Sequence, residues 1–120
     1  MLNLDTHILL HAFNAGLTAR EKKLLSAHQW SISAIVLWEL CKLWQLKRIN
    51  LDPKSKEFRK AMEGIHIWPL TLDVAEKSTK LDIKSDPADE MIAATSIVEE
   101  VPLLTRDKRL LQSVIVPFAR

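Results

Sequence analysis

Apolar positions along the chain fall into short continuous runs that alternate with stretches of helical period. Met1 to Leu4 is a short apolar run halted by Asp5-Thr6, the mark of a strand passing into a helix cap. Helical spacing follows from His7 to Ala15 and closes at Gly16; Thr18 then caps a second helix, Ala19 to Ala27. Trp30 to Ile32 reads as a strand, and Ser33 caps a helix from Ala34 to Trp44. After a turn at Asn50 to Pro53 come a basic helix, Lys54 to Glu63, and a strand, Ile65 to Pro69. Thr71 or Asp73 opens a helix reaching Leu81, and a capped turn at Lys84 to Pro87 leads into an apolar helix, Ala88 to Glu99. A strand at Val101 to Thr105, a short helix at Lys108 to Gln112 and a last strand at Val114 to Pro117 complete the chain. Strands alternating with helices predict an α/β fold with a mostly parallel sheet. Right-handed crossovers bring the C-terminal ends of all strands to one edge, where such sheets bind ligands.

The helix AIVLWELCKLW poses a problem. Its composition is that of a buried segment, yet Glu39 sits in the middle of it. An isolated buried carboxylate is costly unless it is paired or binds a metal. Three further acids fall on the same sheet edge: Asp5 after the first strand, Asp89 in the first turn of the helix opened by DPADEMIAATS, and Asp107 after the strand Val101 to Thr105. Each has a bland reading. Asp5 can end a strand, Glu39 can pair with Lys42, Asp89 can favour the positive helix end, and Asp107 can cap its own helix. Asp86, followed by Pro87, reads as an N-cap first and a contributor to the acidic site second. Taken together, clustered carboxylates repel unless a cation joins them. Oxygen-only ligands favour magnesium or manganese. Zinc fits less well: His7 and His11 have the i, i+4 spacing, but HILLH lacks the metalloprotease glutamate and a third soft ligand.

Composition narrows the classes. The chain has 120 residues, one domain by length, with a formal net charge of +2 and only two glycines. A phosphate-cradling glycine loop is therefore not expected, and no nucleophile elbow is present. The single cysteine, Cys41, excludes an intrachain disulfide and reads as a small core residue. No signal peptide or membrane span is read, so the expected location is the cytoplasm. Trp30, Trp38, Trp44 and Trp68 read as core; the alternative is an apolar patch including Trp38 or Trp44 that serves a dimer or a protein partner.

The ordered set LDTHILL, VLWEL, DPADEMIAATS and LLTRDKRL resembles the PIN-domain family, particularly the VapC-like toxins of toxin–antitoxin pairs. The resemblance spans nearly the whole chain. It implies a three-layer α/β/α sandwich around a small parallel sheet of order 3-2-1-4-5. It implies a metal site of Asp5, Glu39, Asp89 and Asp107, with Thr6 supporting the first acid and Thr105 the fourth. It also implies magnesium- or manganese-dependent cleavage of RNA, an antitoxin partner and a homodimer built on the early helices. Glu90 departs from the pattern, since many relatives carry arginine or another polar residue there. Arg106, Lys108 and Arg109 flank Asp107 and can offset the charge of an arriving phosphate. Lys47, Arg48, Lys54, Lys56, Arg59 and Lys60 form either a more distant RNA track or a solvated helix face. The rival class is a catalytically silent module that binds RNA or a protein without cutting.

Overall fold

Strand β1, Leu2–Leu4, is buried at all three residues. Successive strand side chains point to opposite faces, so both faces of the sheet centre are covered. In the computed structural model, which describes all 120 residues, β1 pairs in parallel with β2 (Trp30–Ser33) and β4 (Leu103–Leu104). Strand β3, His66–Trp68, adds outside β2, giving the order β3-β2-β1-β4. Asn3 stands opposite both Ser31 and Leu103, and Ile32 opposite Ile67. Six α-helices connect and flank these strands: α1 (Thr6–Phe13), α2 (Ala19–Ala27), α3 (Ala34–Gln45), α4 (Lys56–Met62), α5 (Leu72–Ser78) and α6 (Pro87–Glu99). One core cluster joins Leu4, Ile8, Leu9, Ile32, Leu40 and Ile92 to their neighbours on the sheet. No helix is long and apolar enough to cross a membrane.

The fifth strand expected at Val114 to Pro117 is reduced to one parallel bridge, Leu103 to Phe118. Competing hydrogen bonds explain the loss. Asp82 accepts from the Ser113 hydroxyl and the Val114 amide, while the Ser113 oxygen accepts from the Ile115 and Val116 amides. Those amides are therefore unavailable to a ladder. Helix ends shift for similar local reasons. Ser55, rather than a residue before Lys54, caps α4 through the Phe58 amide. Helix α1 stops at Phe13, with Ala15 taking the left-handed backbone at φ 57°. Gly16 supplies room, because a Cβ there would lie 2.7 Å from His11 Nδ1. The short helix near Lys108 narrows to a 3₁₀ turn at Leu110–Gln112.

Helix α3 is one-sided rather than buried throughout. Val36 and Leu40, spaced i, i+4, enter the core. Truncating Leu40 to alanine there costs about 2–5 kcal/mol. Cys41 is exposed, contrary to the core reading. Trp38 and Trp44 are also exposed, 55% and 42%: Trp38 sits two residues from both Val36 and Leu40, on the opposite helix face, whereas Trp44 continues their stripe in the last turn of α3. Leu37, Leu40 and Cys41 face Phe58 and Met62 of α4 across an apolar groove of about 500 Å³.

Candidate active site

Asp5 is placed by the β1–α1 junction. It is the N-cap of α1: its Oδ1 accepts the Ile8 amide at 2.9 Å, fixing the carboxylate at the end of the central strand. Its other oxygen, Oδ2, accepts the Thr105 hydroxyl. That hydroxyl also accepts the Asp107 amide at 3.0 Å. Asp107 in turn caps its own turn, Oδ1 accepting from the Arg109 and Leu110 amides at 2.8 and 3.1 Å. The first helical residue, Thr6, donates its hydroxyl to Oε1 of Glu39 on α3. Asp89, in the first turn of α6, accepts the Ser85 hydroxyl at 3.1 Å. Four elements thus carry four acids to one sheet edge.

The threonines work across the site rather than as the resemblance implied. Thr6 holds the second acid, not the first. Thr105 holds the carboxylate of the first acid and only the backbone of the fourth. The physical reason is directional: each hydroxyl reaches a carboxylate on a neighbouring element.

Burial and mutual repulsion set the electrostatics. Asp5 is pushed above the usual carboxylate range chiefly by burial, opposed by its bonds to Thr105 and Ile8. Glu39 is also raised, first by burial and then by the charges of Asp5 and Asp86, against the Thr6 hydrogen bond. Asp89 is pushed up to about 6 by burial and then by the charges of Glu39, Asp107 and Asp5. The charge of His7 works the other way on Asp5 and Glu39, but burial and repulsion prevail, which marks the cluster as a site for a further cation. As placed, no three His, Cys, Asp or Glu side chains converge closely enough to grip an ion. The donor set is nonetheless all oxygen and partly desolvated, so its chemistry fits a hard divalent cation.

Other predicted residues behave differently. Asp86 occupies the N-cap position of α6, with Pro87 behind it, but its side chain makes no capping bond. Instead, the Ser85 amide donates to Glu90 at 3.4 Å and the Ser85 hydroxyl donates to Asp89, so the turn is tied one residue earlier. That contact also gives the unusual Glu90 a local partner. Arg106 is committed elsewhere: its Nε and Nη2 reach Glu21 at 2.7 and 2.5 Å, and Nη2 also reaches the Gly16 carbonyl at 2.8 Å. It anchors the Thr105–Asp107 segment rather than waiting for a phosphate. Lys108 and Arg109 are exposed and make no ion pair. The basic residues Lys54, Lys56, Arg59 and Lys60 are exposed around α4.

Sequence reasoning missed Glu21 and Ser85. Glu21 is buried and completes a capping box with Thr18, a T-x-x-E pattern visible in the sequence. Its bond to Arg106, 85 positions away, is not visible there. His7 and His11 join Asp5, Arg106 and Asp107 around a cleft of about 270 Å³. The zinc reading of the two histidines gains no third ligand from this arrangement.

The PIN domain family model matches residues 3–114 of the chain. No curated protein matches the chain in sequence. Among solved structures, a toxin–antitoxin complex from Klebsiella pneumoniae is 23% identical, with TM-score 0.76, covering 99% of this chain and 97% of that one. VapBC2 from Rickettsia felis, bound to a DNA fragment from its promoter, is 19% identical, with TM-score 0.73, covering 99% and 98%. VapC20 from Mycobacterium tuberculosis, described as a sarcin–ricin loop cleaving toxin, is 16% identical, with TM-score 0.66, covering the whole of both chains.

Proposed function

The chain belongs to the PIN domain family, and from that premise we propose that its 120 residues form a single nuclease domain, the RNA-cleaving toxin of a toxin–antitoxin pair. The observation that carries this reading is the desolvated, mutually repelling carboxylate cluster, with Asp89 pushed up to about 6 by burial and three neighbouring acids. Asp5, Asp89 and Asp107 are the first-choice ligands of magnesium or manganese, directly or through water. When bound, such an ion supplies charge neutralisation and polarisation of the phosphoryl oxygen.

The chain's own residues do the rest. Asp5 is held rigidly by the Ile8 amide and Thr105, so one strand end fixes the site's origin. Glu39 is tethered through one oxygen by Thr6. Its other oxygen completes the ligand set or holds the attacking water and accepts its proton. Lys108 and Arg109 meet the incoming phosphate and reduce its repulsion from the acids. Arg106 has no part in that step; it secures the segment that carries Thr105 and Asp107.

Partners follow the same reading. The neighbours include toxin–antitoxin complexes, which supports an antitoxin protein as partner. A two-fold homodimer on the early helices accompanies it. The test is cleavage of a mixed RNA pool with magnesium, using Asp5→Asn as the blank and chelator as the second blank. Magnesium-dependent cleavage that Asp5→Asn abolishes is the expected result. Equal binding of RNA by both proteins, with no cleavage by either, would instead favour the silent interaction module.

A further inference from the structure

Trp38 immediately precedes Glu39 on α3, so its backbone lies one residue from the acidic edge. Its side chain is 55% exposed, an unusual state for so large an apolar group. The Lys42 ammonium stands 6.0 Å from the centre of its ring, at the outer limit of a cation–π contact. The residues that share its helix face, at i+3, i+4 and i+7, are Cys41, Lys42 and Gln45, all exposed. A protein-docking surface needs a contiguous apolar patch. Ala34 and Ile35, at i−4 and i−3, are half-buried and Cys41 turns toward the groove against α4, so Trp38 is the one exposed large apolar side chain on this face, with a cation beside it. An aromatic face next to a cation is the chemistry that binds an unpaired base and its phosphate.

We propose that Trp38 and Lys42 form a base-stacking platform for single-stranded RNA at the border of the carboxylate site. The indole stacks an unpaired base of the substrate, and Lys42 meets an adjoining phosphate. A base inside a duplex cannot offer its face in this way, so the platform selects unpaired segments. The inference rests on the ribonuclease reading and specifies the form of its substrate.

Binding and cleavage are measured separately. Fluorescence anisotropy with a labelled single-stranded RNA, calcium replacing magnesium, compares wild type, Trp38→Ala, Trp38→Phe and Trp44→Ala. Gel analysis verifies that the RNA stays intact. Trp38→Ala is expected to bind about tenfold more weakly, the loss of about 1.4 kcal/mol of stacking. Trp38→Phe recovers part of the affinity, and Trp44→Ala binds like wild type. With magnesium, Trp38→Ala raises KM for the single strand while leaving kcat within about twofold, an order-of-magnitude criterion for ground-state binding. Circular dichroism verifies that each variant is folded. If Trp38→Ala binds and cleaves like wild type, or alters only sedimentation, the platform is refuted and the face belongs to a protein. If wild type binds the RNA through Trp38 but cuts nothing, the platform stands and the nuclease reading falls.

Discussion

Glu21→Gln probes a long-range tie at the periphery of the site, spanning 85 positions in sequence. Glu21 accepts Arg106 Nε and Nη2 with both oxygens and also accepts the Thr18 amide at 2.9 Å. Chiefly through Arg106, its carboxyl falls from the ordinary 4.5 to about 2. Each pH unit between those values is worth about 1.4 kcal/mol, which sets a ceiling of about 3 kcal/mol. The Arg106 side chain is 39% exposed, so solvent screening lowers the expected loss at neutral pH to about 1–2 kcal/mol. Because the folded value lies below the unfolded one, this stabilisation is fully present above about pH 4.5. It is lost as pH falls toward 2. Urea melts of wild type and Glu21→Gln at pH 7 and pH 3 measure it. The stability gap should shrink by more than half at pH 3, by linkage at roughly these values. Cleavage by Glu21→Gln should also slow, since Arg106 lies between Thr105 and Asp107. A variant as stable as wild type at pH 7, or a gap that ignores pH, would refute the clamp.

Asp5→Asn, Asp89→Asn and Asp107→Asn should each abolish cleavage with circular dichroism unchanged, while Asp73→Asn, at an exposed position in the first turn of α5, keeps full activity; an equally damaging Asp73→Asn would misplace the site. Glu39→Gln should lose cleavage yet melt no lower than wild type in chelator, and it should lose much of the magnesium-induced rise in Tm; an active variant with an unchanged magnesium response would sink the role of Glu39. In chelator, Asp89 acts on stability with the opposite sign to Glu21: its contribution is fully present below about 3.8 and lost as pH rises through about 6. Melts from pH 4 to 7 should therefore show a decline that Asp89→Asn flattens. Sedimentation at tens of micromolar, a rough concentration suited to weak homodimers, should show a dimer; a monomer alone would exclude it.

Much of the fold was legible because local and global signals agree. Caps at Thr18, Ser33 and Thr71 are sequence patterns, and each makes its expected bond in the structure. The parallel sheet followed from strands alternating with helices, and its order holds through β4. The last strand was not legible because its loss depends on Asp82, which lies more than 30 positions earlier. Cys41 was misread because apolar residues fill α3 on more than one face; only packing shows that Val36 and Leu40 choose the buried side. At the site, topology alone grouped the four acids on one edge. Their hydrogen-bond partners required coordinates, since Thr6–Glu39 and Thr105–Asp5 cross between elements.

Those crossed hydroxyls account for how a repelling cluster can sit at the edge of a stable core. Asp5 and Glu39 are desolvated, Asp5 raises the proton affinity of Glu39, and Asp107 raises that of Asp5. Their repulsion acts to part α3 from the β1–α1 junction. Thr6 opposes that motion, because it belongs to the helix that Asp5 starts and grips the acid of α3. Thr105 does the same on the other side, joining the ends of β1 and β4 through Asp5 and the Asp107 amide. Arg106 then carries the load outward to Glu21 at the start of α2. The site is thus braced by neutral hydroxyls within and by an ion pair at its periphery. This division has a chemical reason. A fixed cation at the centre of the acids would relieve their repulsion but would also fill the position proposed for a metal ion. Neutral donors hold the carboxylates in place while leaving their negative charge available.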